Sequence, residues 1–203
     1  MQTYSGLVHL NGNLLVSVDL ETTGRQPGYH EIIQVACVPL DSQLKPSATL
    51  RPFSTSVRPD YPERAEKGAM CKHGIPMEDL LLHAPSQDKA RDLLVEWFES
   101  LDLPFKKNLT PLAHNWAFEA SFLKAWLGIA LFEEIWHGFA RDGMLLAIAI
   151  NDRAAMRGEE LPFNRVSLGS LCNKFHVVNA HAHDALADAV AEAEVYRALV
   201  QMY

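Results

Sequence analysis

Apolar positions recur with the short period of β-strands in the first quarter of the chain and with helical spacing after it. The run Leu14-Leu15-Val16-Ser17-Val18-Asp19-Leu20-Glu21-Thr22-Thr23-Gly24 reads as a strand ending in polar residues and a glycine turn. Successive strand side chains alternate faces, so Val16, Val18 and Leu20 point one way and Ser17, Asp19 and Glu21 the other. A polar turn, 25–30, leads into a second strand, Glu31 to Leu40, rich in β-branched residues and closed by Pro39. A third strand, around Ala48 to Val57, carries Pro52 and belongs at an edge or contains a break. Short links between the three predict an antiparallel meander.

Pro59 to Pro85 is punctuated by Pro, Gly and charge, with short helical pieces around Glu63 to Met70 and Met77 to His83. Ser86 then reads as the N-cap of a helix to about Leu101, whose Leu93, Leu94, Trp97, Phe98 and Leu101 form one apolar face. Leu109 to His114 is a short apolar run, and Asn115 begins a helix to about Leu127. Asp142 is placed to cap a helix from Gly143 to about Met156, and Ser167 one to about Lys174. The last helix, about Asp184 to Met202, carries Leu186, Ala189, Val190, Ala193, Tyr196, Leu199 and Val200 on one side. Strands first, then helices alternating with shorter strands, predict an α/β domain with a mixed sheet and the first strand at its centre.

Length fits one domain spanning 1–203, with 48% hydrophobic residues to build its core. No signal-peptide pattern or membrane-length apolar run is present, and three widely spaced cysteines, Cys37, Cys71 and Cys172, suit a reducing compartment. The expectation is a soluble, cytoplasmic protein. A net charge of −7 argues against a broad basic surface gripping duplex nucleic acid.

Candidate chemistry begins with Asp19 and Glu21. Two like charges on one strand face repel and raise each other's pKa unless a cation lies between them, so the pair asks for a hard, oxygen-seeking ion such as magnesium or manganese. A second cluster, His114-Asn115-Trp116-Ala117-Phe118-Glu119, turns from strand to helix and puts Glu119 in the first turn, where the helix dipole alone would favour an acid. The third is His181-Ala182-His183-Asp184-Ala185-Leu186-Ala187-Asp188. Asp188 on an otherwise apolar helix face is costly to bury without a partner, and a metal ion is such a partner. His114, His176 and His181 read equally well as turn or surface residues, and Trp97, Trp116, Trp126 and Trp136 as core or rim. The charge run Glu63-Arg64-Ala65-Glu66-Lys67 reads as a solvated helix face.

Together, Asp19-Leu20-Glu21 followed by Thr22-Thr23-Gly24, the His-Asn-x-x-Phe-acid element ending at Glu119, and His183 ahead of Asp188 resemble, in order, the three motifs of DEDDh-type 3′-to-5′ exonucleases. Lys72-His73-Gly74-Ile75 and the helix after it are similar to the proofreading subunit of bacterial replicases. The resemblance implies a ribonuclease H-like fold with a mixed five-stranded sheet, an antiparallel meander plus parallel strands, flanked by helices. It implies two divalent ions, Mg2+ or Mn2+, held by Asp19, Glu21, Glu119 and Asp188, with His183 as general base releasing nucleoside 5′-monophosphates. By the same match, the backbone around Leu20 and the hydroxyls of Thr22 or Thr23 hold the terminal 3′-OH, His73 and Ile75 contact the last sugar or base, and Asn115 supports the scissile site. The departure is Glu119, one methylene longer than the family's usual Asp.

The expected substrate is a single-stranded 3′ end, DNA favoured. RNA or short oligoribonucleotides, a small-nucleotide phosphodiester, and a catalytically weak binding module are the alternatives. Without a basic groove the protein is expected to hold only a few terminal nucleotides and to be processive only when a protein partner tethers it; no membrane is expected as a partner.

Overall fold

In the computed structural model, which describes residues 8–9, 13–103 and 108–202, the alternation of the first strand sets the whole architecture. Strand β2 (Asn13–Thr22) lies in the middle of the sheet. Its even-numbered residues Val16, Val18 and Leu20 join one core cluster, whereas Leu15 belongs to another on the opposite face. Ser17, Asp19 and Glu21 share the Leu15 face by strand periodicity. β3 (Ile32–Pro39) pairs antiparallel with β2, and β4 (Phe53–Ser56) antiparallel with β3 at the edge. On the other side β5 (Leu109–Ala113) and β6 (Arg141–Asp142) run parallel. The order is β4-β3-β2-β5-β6, a mixed five-stranded sheet, with a two-residue β1 (Val8–His9) also paired to β2.

Helices cover both faces. α3 (Gln87–Ser100) and α4 (Trp116–Leu127) supply Ala90, Leu94, Phe122, Leu123 and Trp126 to the cluster under Val16, Val18 and Leu20. On the other face α8 (Ala185–Gln201) lays Ala185, Ala189 and Ala193 against Leu15, Ala36, Val38 and Leu112. Small side chains let its backbone come close to the strands. α6 (Gly143–Met156) and α7 (Leu168–Phe175) pack behind α8 through Ala147, Ile150, Leu171 and Cys172 against Ala191, Val195 and Leu199. Sandwiched this way, α8 is buried over a wider arc than its sequence pattern indicates, while Val200 is exposed. Among the described residues no helix is long and apolar enough to cross a membrane.

Several boundaries differ from the sequence expectation for identifiable reasons. The edge strand is only Phe53–Ser56, because the chain before it is irregular and Pro52 precedes it. The helix expected around Glu63 to Met70 is split: Pro62–Arg64 forms one 3-10 turn, Ala65 is extended, and α1 (Lys67–His73) starts afterwards. α2 (Met77–His83) matches its expected span. The short α5 (Ile129–Ile135) and β6 were not foreseen as separate elements. The predicted caps Ser86, Asp142 and Ser167 are in place, and Asp184, expected as the first residue of the last helix, is its cap; each accepts a backbone N–H of the first turn.

The turn after β2 is held by buried His30. Its Nδ1 accepts the Gln26 N–H at 2.9 Å and its Nε2 lies 3.4 Å from Glu66 Oε1. Gly24 packs on that ring so closely that an added Cβ would come within 2.4 Å of it. Gly24→Ala is therefore expected to lower stability by roughly 1–3 kcal/mol, the usual range for overpacking, read from urea unfolding followed by circular dichroism. An unchanged midpoint would mean that the His30 ring yields freely.

Candidate active site

Four elements converge beyond the ends of the central strands. β2 brings Asp19 and Glu21, the first turn of α4 brings Glu119, the first turn of α8 brings Asp188, and the loop before α8 brings His183. Ligand atoms of Glu21, His183 and Asp188 all lie within 4.8 Å of one another, a grouping able to hold a metal ion. Asp19 and Glu119 are coupled to them through charge. The depression lined by Tyr29, Tyr61, Arg64 and Trp126, at the outer side of the β2–β3 turn, contains none of these five residues.

The loop carrying His183 is locked by Asp188. Asp188 Oδ2 accepts the His183 backbone N–H at 3.1 Å and lies 3.9 Å from His183 Nδ1, while Asn179 donates its side-chain amide to Oδ1. His183 takes a left-handed φ of 70°, a conformation that this hydrogen bond helps to hold. On the other side of the loop, Gln34 of β3 donates to Asp184 Oδ2 and accepts the Ala185 N–H, both at 2.9 Å, which ties the start of α8 to the sheet. His181 is exposed and stands apart from the group.

Burial and mutual repulsion dominate the electrostatics. Burial first, then the charges of Glu119, Asp188, Glu21 and Glu192, hold the Asp19 carboxyl well above the usual carboxylate range. Glu21 is pushed from 4.5 to about 8 by burial, with Lys72 opposing and Asp188 and Asp184 adding to the rise. Glu119 is also held well above its ordinary value, by burial and then, against the help of its own backbone N–H, by Asp142, Glu192 and Glu21. Its Oε2 is buried with no hydrogen-bond partner. An orphaned carboxylate oxygen beside other raised carboxyls is the chemistry that a divalent cation satisfies, so this set of residues fits such an ion.

The other sequence-selected residues are placed as follows. Thr22 is buried and its hydroxyl donates to Gly24 O at 2.7 Å. Thr23 is fully buried and its Oγ1 accepts the Glu31 N–H at 2.9 Å, so it braces the turn and its hydroxyl is enclosed. The Leu20 side chain points into the α3–α4 core, leaving its backbone for the crevice side. His73 lies beside the Thr22 backbone and within electrostatic reach of His183; burial, and then the charges of His183 and Lys72, lower its pKa against the opposing pull of the Thr22 backbone, and its Nε2 is buried without a hydrogen-bond partner. Ile75 donates its N–H to His73 Nδ1, and its side chain lines a groove with Ser54 and Leu80. Asn115, in the left-handed region at φ 82°, precedes α4, but its side chain makes no cap bond. Asp142 caps in its place, accepting the Asn115, Trp116 and Leu145 N–H groups at 3.3, 2.8 and 3.0 Å.

Sequence reading missed four participants. Lys72 offsets the Glu21 charge, Asn179 holds Asp188, Glu192 lies one turn beyond Asp188, and His114 is no surface residue. Only the Asp188 to Glu192 spacing of four residues could have flagged one of them, since i,i+4 residues share a helix side.

A carboxylate crevice at the end of the central strand of a ribonuclease H-like sheet defines a nuclease-type hydrolase fold. The chain belongs to the RNase_T exonuclease family, whose model matches residues 16–196. Solved structures share the fold. Cell-death related nuclease 4 is 21% identical with a TM-score of 0.69, covering 93% of this chain and 64% of its own. Exonuclease I of E. coli in complex with a dT13 oligonucleotide is 20% identical with a TM-score of 0.66, covering 91% and 40%. The nuclease domain of 3′hExo bound to rAMP is 17% identical with a TM-score of 0.65, covering 93% and 92%. This chain thus spans less than two thirds of the first two. A comparison with curated protein sequences finds no match.

Acids whose folded pKa is raised take up protons on folding, so they favour the folded state at low pH and oppose it as pH rises from 4.5 through about 8. Chelator-treated protein is therefore expected to melt lower at pH 8 than at pH 5.5. Mg2+ or Mn2+ should raise melting most at pH 8, where the acids are most ionised; a hundredfold excess over Kd corresponds to about 2.7 kcal/mol of stabilisation. Calorimetric melting that responds to neither pH nor metal would remove these acids from cation binding.

Proposed function

We propose that the protein is a divalent-metal-dependent exonuclease that removes nucleoside 5′-monophosphates from the 3′ ends of single-stranded nucleic acid, DNA favoured. The convergence of Glu21, His183 and Asp188 within 4.8 Å, beside the raised acids Asp19 and Glu119, carries this reading. The family assignment supports it.

Asp19, Glu21, Glu119 and Asp188 would hold two ions, Mg2+ or Mn2+. Bound there, such ions lower the pKa of water and neutralise charge on the attacking and leaving oxygens. The chain's own residues do the rest. His183 Nδ1 faces Asp188, which leaves Nε2 to take the proton from the attacking water. A new P–O bond forms to that oxygen as the bond from phosphorus to the 3′ oxygen of the penultimate nucleotide breaks; the departing oxygen gains a proton and becomes the new 3′-OH. The backbone at Leu20 and the Thr22 hydroxyl would receive the terminal 3′-OH. His73, kept neutral by burial, and Ile75 would meet the last sugar or base, and Asn115 would stand behind the scissile phosphate. Thr23 acts through the turn it braces.

Glu119 reaches one methylene further than the family's usual Asp, which its buried position accommodates. RNA is the second reading, supported by the likeness to 3′hExo bound to rAMP. Residues 1–203 would work as one domain, low in processivity unless a protein partner tethers it, in a reducing compartment such as the cytoplasm.

Matched 5′-labelled DNA and RNA oligonucleotides, digested with Mg2+, Mn2+ or chelator, test the proposal. A metal-dependent ladder shortening from the 3′ end is expected, with DNA degraded faster; binding without cleavage in either metal would assign a holding role instead. His183→Ala is expected to cut turnover by about two to four orders of magnitude with nucleic-acid binding retained, whereas Asp19→Asn should abolish both Mn2+ binding and cleavage. Full activity of His183→Ala would remove Nε2 from the reaction.

A further inference from the structure

Glu192 and His114 form a buried polar pair that the proposed reaction does not use. Glu192 is 2% exposed, on α8 one turn beyond Asp188, among Ala189, Ala191 and Ala193. Its Oε2 lies 3.2 Å from His114 Nδ1, and His114 Nε2 lies 2.8 Å from Val166 O. His114 sits between the end of β5 and Asn115, at the corner that launches α4 and Glu119. Neighbouring Asn115 and Trp116 give their N–H groups to Asp142.

Three features make this more than filler. A hydrophobic residue would pack at position 192 at less cost than a buried carboxylate. Gly143 makes room for the acid: a Cβ there would come within 2.2 Å of Glu192 Oε1. The pair also spans the two elements, α4 and α8, that hold two of the four candidate metal-binding acids.

We propose that His114 and Glu192 are positioning residues that latch the β5–α4 corner to α8 and so fix Glu119 against Asp188. The link rests on the exonuclease reading for its purpose. Both ring nitrogens of His114 face acceptors, so a neutral imidazole satisfies only one of them unless the partner at 192 donates. Burial lowers the His114 pKa, but the hydrogen bond and charge of Glu192, with Val166 O, outweigh it and raise the pKa above its ordinary value. Protonated, the ring donates to both neighbours. Glutamine at position 192 can keep the bridge by donating its amide to Nδ1 while Nε2–H serves Val166 O; leucine cannot.

Glu192→Leu and Glu192→Gln, with the double variant His114→Met/Glu192→Leu that removes both polar groups together, test the latch in the full-length protein. Folding is checked by circular dichroism. The measurements are kcat and KM on a labelled oligonucleotide, and Mn2+ affinity by calorimetry. Glu192→Leu and the double variant are expected to fold, to lose about 10- to 100-fold in kcat, as a displacement near 1 Å does, to bind Mn2+ more weakly, and to keep KM within about threefold. Glu192→Gln should rescue kcat to within about threefold. Wild-type kcat and Mn2+ affinity in a folded Glu192→Leu or double variant would reduce the pair to packing, and a Gln variant as impaired as Leu would overturn the hydrogen-bonded link. If wild type binds Mn2+ but cuts nothing, the exonuclease reading fails, and Mn2+ affinity still decides the latch by the same pattern. A wild type that neither binds Mn2+ nor cuts ends both.

Discussion

Repulsion among acids gathered in one crevice is the constraint on which the rest of this structure depends. Asp19, Glu119 and Glu21 each carry a raised pKa, with burial as the leading cause and the charges of neighbouring acids, Glu119 and Glu21 on Asp19, Glu21 on Glu119, and Asp188 and Asp184 on Glu21, among the further ones. Left to themselves such groups would move apart or take up protons. The fold denies them the first choice by placing them on rigid elements. Asp19 and Glu21 lie on a strand that pairs with β3 at their own positions and with β5 further back, and Asp188 and Glu119 lie in first helical turns whose N–H groups are held by Asp184 and Asp142.

Close approach of α8 to the sheet is what makes the crevice narrow. Alanines 185, 189 and 193 meet Leu15, Ala36, Val38 and Leu112, so the helix backbone lies near the strands and Asp188 comes within reach of Glu21. Larger side chains on that stripe would hold α8 further off. The Gln34 amide then fixes the register of the helix start against β3. Stability and site geometry are thus set by the same contacts, and the residues that decide the metal-binding distances include several with no ionisable group.

Much of this was legible in the sequence where the information is local. Alternation along residues 14–21 gave the faces of β2, and side-chain caps at Ser86, Asp142 and Ser167 marked the helix starts within a residue. The three acidic motifs could be read because each couples a residue type to a nearby turn. Long-range partners were hidden. His114 looked like a turn residue because nothing near it in sequence shows Glu192, 78 positions away. Thr23 looked available because its engagement with Glu31 depends on how the turn folds back. The third strand was overextended because the sequence marks Pro52 as an edge or a break without saying which, and the chain before it turned out irregular.

Charge also orders the events at the site. The chain carries a formal net charge of −7, and the acids in the crevice concentrate part of it where a phosphate must approach. Among the described cationic side chains, Lys72 is the one whose charge bears on Glu21, while His73 is held below its ordinary pKa. Without a divalent ion, a nucleic-acid backbone meets carboxylates that are either ionised and repulsive or protonated and unable to bind a cation. On the proposed reading, cation binding would come before, or with, productive docking of the 3′ end. On that proposed reading an acidic protein would act on a polyanion through its loaded site and the first few nucleotides there, with the broad surface contributing little.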